Sequence, residues 1–183
     1  MAAAVFVIAA TSLAFTDGGQ RRFREFLNGL KEAPAVISTT GTGTFRATIS
    51  QDESEIDYAL TFQDLEGDVR QAHIHIGHPQ NAGGIVLWLC DSAVNPAPPR
   101  TPPTPHCASA LSAQAGSVMG TLTASDVQTQ AANGIAPGEF AEVIALIRAG
   151  RTYVNVHSSK FPPGEIRSQI ENRDGDHHEH DNH

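Results

Sequence analysis

The sequence is short of basic residues, aromatics and cysteine, and each shortage closes off a class of function. Lys and Arg number 12 against 20 Asp and Glu, a formal charge of −8. A chain this acidic lacks the basic footprint that nucleic-acid binding needs. Aromatics are only 6% of the residues, so a core has to come mainly from Val, Ile, Leu and Ala. The apolar stretch at residues 1–14, MAAAVFVIAATSLA, is too short to span a bilayer as a helix. There is no GxSxG, no HExxH and no P-loop. Gly83-Gly84 precedes a strand-like run but lacks the following helix and lysine of a phosphate cradle. The acids are scattered, with no spacing that suggests a glycosidase pair. What remains, 183 residues at 40% hydrophobic, suits one domain and excludes wholesale disorder.

The charge is uneven. Residues 171–183 hold five acids and one arginine, half of the net charge. The tail DGDHHEHDNH offers nothing apolar to bury, so residues 172–183 are expected to be disordered. His177, His178, His180 and His183 lie there among acids, a composition that either binds divalent metals loosely or stays solvated. At the other end, residues 1–14 have the length of a signal-peptide apolar region. Ser12-Leu13-Ala14 has the form of a cleavage site, and Phe15 would begin the mature protein. No basic residue precedes the run, so the start is truncated, the signal is atypical, or the run is a buried apolar element. The expectation is a secreted or extracytoplasmic protein.

The cysteines agree with export. Cys90 and Cys107 show no CxxC or Cys/His zinc spacing. The segment between them, DSAVNPAPPRTPPTPH, holds six of the eleven prolines, which keeps it out of a sheet interior. A Cys90–Cys107 bridge would contribute about 3 kcal/mol through loop closure and requires an oxidising compartment. The alternative is two buried thiols.

Short alternating runs fill the rest of the chain. GTFRATIS (43–50) places Phe45, Ala47 and Ile49 on one face, and EIDYALTF (55–62) does the same with Ile56, Tyr58, Leu60 and Phe62. VRQAHIHIG (69–77) sets Ile74 and Ile76 opposite His73 and His75. FREFLNG, GIVLWLC (84–90), SVMGTLT (117–123), TYVNVHS (152–158) and GEIRSQI (164–170) complete about eight strands, which argues for an all-β antiparallel sandwich or barrel. GEFAEVIALIRAG (138–150) breaks the pattern. Phe140, Val143, Ile144 and Ile147 fall at helical spacing, with Gly150 as the C-terminal cap. A second helical turn is expected near Thr123–Asp126, which has capping-box spacing. These one or two short helices read as a crossover between strands.

The strongest chemical signal is His73-x-His75. Alternate residues of a strand share a face, with Cα atoms about 6.5–7 Å apart, and imidazole suits copper and zinc. His157 shares its strand face with Tyr153 and Asn155. If the strands carrying His75 and His157 are neighbours, a three-His metal site forms, with His78 as a fourth ligand or a gate. Otherwise these histidines line a polar sheet face. Glu165 and Arg167 alternate onto one face and would either orient an imidazole and attract an anion, or form an ordinary cross-strand ion pair.

Three segments together resemble the CHRD domain, a module named after chordin and found in bacterial secreted proteins. FLNGLKEAPAVISTTGTGTF (26–45) is similar to that family's start. AHIHIGHPQNAGGIVLWLC (72–90) is similar to its central His-x-His segment and apolar strand, and AGRTYVNVHSSKFPPGEIRSQI (149–170) to its close. The matches cover residues 22–171. Ser168, where the family usually has Gly, and the long proline insert at 95–105 depart from the pattern. The resemblance implies an Ig-like or superoxide-dismutase-like β-sandwich and says much less about activity; the leading expectation is a secreted binding module without catalysis, its partner an extracellular protein or a glycan. The His-x-His strand also resembles the copper strand of Cu/Zn superoxide dismutases. That likeness would make His73, His75 and His157 copper ligands and Arg167 an anion guide, in a copper-dependent oxidoreductase. No bridging-His zinc site with an Asp ligand is evident.

Overall fold

A computed structural model describes residues 19–108 and 113–172. The apolar segment at 1–14 and the His/Asp-rich tail lie outside the described residues. Eight strands follow the alternating runs: β1 (Arg22–Asn28), β2 (Thr42–Ile49), β3 (Ile56–Gln63), β4 (Val69–Ile76), β5 (Ile85–Cys90), β6 (Gly116–Leu122), β7 (Thr152–Ser158) and β8 (Ile166–Gln169). They form one antiparallel sheet in the order β5-β4-β7-β8-β1-β2-β3-β6. The fold is all-β, as the alternation implies. The sheet curls over a single core until its end strands β5 and β6 approach each other. Tyr58 Oη on β3 donates across to the Leu89 carbonyl on β5 at 2.5 Å. The Cys90–Cys107 disulfide is formed and no described cysteine is free.

The inward residues of β1, β2 and β3 are the ones the periodicity selects. Phe23, Leu27, Phe45, Ile49, Ile56, Leu60 and Phe62 are buried, Glu25 shares the inward row of β1, and the outward neighbours are mostly polar, Phe26 being the large exception. The crossover runs from β6 to β7 through a 3-10 turn at Ala124–Asp126 with the expected capping box, a second turn at Ala131–Asn133, and the helix α1 (Phe140–Arg148). Phe140, Val143, Ile144 and Ile147 of α1 enter the core cluster.

The proline segment is a strap pinned at several points. Ala97 N and His106 Nδ1 bond the Asp91 carboxylate at 2.9 and 2.6 Å. Arg100 pairs with the buried Asp126 at 2.8 Å and donates to the Thr121 carbonyl of the end strand β6. The strap thus occupies a backbone acceptor on a strand edge that would otherwise be open to foreign strands.

One half of the sheet departs from simple alternation. All seven residues of β7, all four of β8 and the second half of β4 are buried on both faces. The hydrophobic face carries Ala72, Ile74, Val154, Val156 and Ile166. The other face is polar and lies under the loops at 29–41, 77–84 and 159–165.

Candidate metal centre

β4 and β7 are neighbours, with His73 opposite Asn155 and His75 opposite Tyr153. This pairing brings residues 84 positions apart into contact. His73, His75 and His157 come together, one ligand nitrogen of each lying within 4.8 Å of the others. The β4–β5 register slips at Ala72/His73 and again at Ile74/His75. Such irregularities commonly re-aim side chains at functional sites.

The hydrogen bonds fix where the protons sit. His75 Nδ1 lies 2.9 Å from the Gly83 carbonyl and His157 Nδ1 lies 2.9 Å from the Pro162 carbonyl. A carbonyl can only accept, so both Nδ1 atoms carry the hydrogen, and each neutral ring keeps its Nε2 electron pair free. His157 Nε2 is then the acceptor for His73 Nδ1 at 3.2 Å. This leaves the His73 and His75 Nε2 atoms buried and without a partner. A backbone carbonyl holding the far nitrogen is the usual support of a metal-bound histidine. An unsatisfied buried acceptor costs about 1–3 kcal/mol. Burial also lowers all three imidazole pKa values, that of His75 to about 4, so the rings are neutral, the form a metal requires.

The surroundings hold the rings in place. The His73 ring meets Trp88 edge-on at 4.2 Å, and His75 stacks on Tyr153 at 4.8 Å. The Arg167 guanidinium lies 3.4 Å from the Tyr153 ring centre. It donates to the carbonyls of Asn81 and His78 at 3.0 and 2.9 Å. Gln169 Nε2 donates to Gly77, and Gly83 N donates to Tyr153 Oη. Arg167, Gln169, Tyr153 and His75 therefore clamp the 77–84 loop over the polar face.

Two sequence expectations need correction in detail. His78 stands apart from the trio: its side chain is exposed and meets Arg151 at 3.3 Å. It contributes its backbone carbonyl to Arg167 rather than its ring to a metal. Glu165 and Arg167 share the face, and among the described residues neither enters a cross-strand ion pair. Glu165, fully buried, accepts from Thr39 Oγ1 at 2.7 Å and from Glu66 N at 2.6 Å.

Glu32 was not singled out by the sequence, because it lies in a loop outside every strand pattern. Its carboxylate accepts from Asn155 Nδ2 at 3.2 Å. Gly164 makes room for this pair: its φ is +143°, and a Cβ there would sit 2.6 Å from Asn155 Oδ1 and 2.8 Å from Glu32 Oε1. Burial pushes the Glu32 pKa up to about 7, against the pull of Asn155 and Arg167. A raised folded pKa favours the neutral acid. Its contribution is complete below the unfolded value of 4.5 and is lost as the pH rises through 7. Glu32→Gln stays neutral throughout, so its stability relative to the parent is expected to rise across that window by about 2–3 kcal/mol. Urea melts at pH 4 and pH 8 measure this; an equal difference at the two values would refute it. The imidazoles act in the opposite sense, since lowered pKa values cost stability as the pH falls below 6.5.

Comparison with protein families matches the CHRD domain over residues 23–170. Comparison with curated proteins and with solved structures gives no significant match.

Proposed function

The chain belongs to the CHRD family, and from that premise and the geometry of the three imidazoles we propose that it is a secreted or extracytoplasmic binding module carrying one copper or zinc ion at His73, His75 and His157. One observation carries the reading: three neutral, buried rings converge, and their proton positions leave three Nε2 electron pairs, of which only that of His157 receives a hydrogen bond. Three imidazoles are an established donor set for zinc and suit copper. The disulfide fits an oxidising compartment.

A binding role suits the site better than turnover. His73 is fully buried, and His75 and His157 are only 7% and 6% exposed, which leaves little room for a substrate to reach an ion between them. An oxidoreductase would need a small anion to enter there. The partner proposed is an extracellular protein or glycan. Beside the site a cleft of about 430 Å³, walled by Leu30, Pro34, Val36, Pro79 and Arg167, offers a concave surface for it.

The test is metal content of the untagged full chain after loading with copper or zinc and desalting over a chelating resin. One tightly held ion per chain is expected, and it should be lost in His73→Ala and in the milder His75→Gln. Loading with cobalt should give, in the parent alone, the visible spectrum of cobalt held by three imidazole nitrogens. Retention of the ion in both variants would assign it to the tail histidines and overturn the site.

A further inference from the structure

The outer face of β1 and β2 carries an arginine cluster on a chain that is otherwise acidic. Arg22 and Arg24 are exposed on β1, and Arg46 is exposed on β2. The register sets Arg24 directly opposite Arg46 and Arg22 opposite Thr48. Like charges directly opposite destabilise a sheet, and among the described residues none of the three arginines has an ion-pair partner. The acid that the register brings to this face, Asp57, lies beyond Thr48 and is already bonded by Thr121 Oγ1 at 2.7 Å. Phe26, 53% exposed, extends the same row.

The fold delivers an acidic segment to this place. β8 runs antiparallel to β1, with Asn28 opposite Arg167. The chain leaving β8 therefore travels back along β1 toward Arg24 and Arg22, and Glu171 N already donates to Glu25 Oε1 at 3.1 Å. Residues 173–183 carry Asp174, Asp176, Glu179 and Asp181 against the single Arg173. A segment of that length spans up to about 35 Å, while neighbouring strands are about 4.8 Å apart. Reach does not limit it.

We propose that the acidic segment 173–183 docks on the Arg22–Arg24–Arg46 face of its own chain. The attraction is electrostatic and does not require the segment to fold. Docking supplies the negative charge that the Arg24–Arg46 pair lacks, and it covers the basic face, so an external acidic ligand has to displace it.

A nitroxide label on the full chain at His178→Cys tests this, since the native cysteines are already bridged. At low salt the label is expected to weaken the NMR signals of residues 22–26 and 46. The signals should recover at 1 M salt, where the screening length falls to about 3 Å, and in Arg24→Gln/Arg46→Gln. Both positions are exposed and the change removes a like-charge pair, so the double variant should melt no lower than the parent. Unweakened signals at low salt, or weakening that persists in the double variant, would overturn the proposal. So would added polyglutamate shifting these signals while the label leaves them untouched, because the face would then serve an outside ligand.

Discussion

Arg167→Ala is expected to lower stability by about 3–5 kcal/mol, the usual cost of removing one member of a buried charged network. In a domain of this size that is a drop of about 10 °C or more in melting temperature. Arg167 is 1% exposed and sits between two duties. Its two bonds to the Asn81 and His78 carbonyls hold the 77–84 loop, and its charge offsets that of Glu32. Alanine leaves those carbonyls without donors and raises the Glu32 pKa further above 7. Lysine keeps the charge but not the two-pronged geometry, so Arg167→Lys should fall between parent and alanine. The loop also carries Gly83, whose carbonyl orients His75. Metal affinity should therefore weaken about 10–100-fold in Arg167→Ala, as for other supporting groups of metal sites, although Arg167 is no ligand. Unchanged affinity alongside the lost stability would mean that the clamp serves the fold and not the trio.

That coupling explains why the fold was legible in the sequence and the site only partly so. Phe45, Leu60 and Ile74 announce their faces by alternation, because burial on one side of a strand imposes period two. The helix around Val143 and Ile147 shows itself in the same way through its own period. His73 and His75 declare a shared face by spacing alone. His157 joins them only because β7 lies next to β4 in a sheet whose order does not follow the chain, and no local pattern encodes that. Glu32 and the 77–84 loop were illegible for a different reason. They cover a polar face that would normally meet water, so nothing apolar marks them, and Glu32 acquires its role only when Asn155 and Gly164 come beneath it. Likewise the prolines of the strap foretold an irregular segment, but not its anchors at Asp91, Asp126 and Thr121.

Those anchors bear on the second large effect. Replacing both cysteines, Cys90→Ser/Cys107→Ser, is expected to cost about 3 kcal/mol, the loop-closure value for a bridge of this span. In urea the midpoint should fall while the slope rises somewhat, because the unfolded chain without the cross-link is less compact and exposes more surface. The bridge ties the end of β5 to the segment leading into β6, and with Tyr58 it holds the two ends of the sheet together. Cys90 lies opposite Ala72 on β4, one residue from His73, but the trio rests on bonds to Gly83 and Pro162 that do not involve the strap. Metal stoichiometry should therefore survive the double substitution, in contrast to Arg167→Ala. If the urea midpoint barely moves, the Asp91 and Arg100 contacts hold the closure without the bridge, and the disulfide ceases to argue for an oxidising compartment. If it falls as expected, a chain kept reduced would be markedly less stable than one that is exported, and the covalent tie becomes a physical reason for the protein to work outside the cytoplasm.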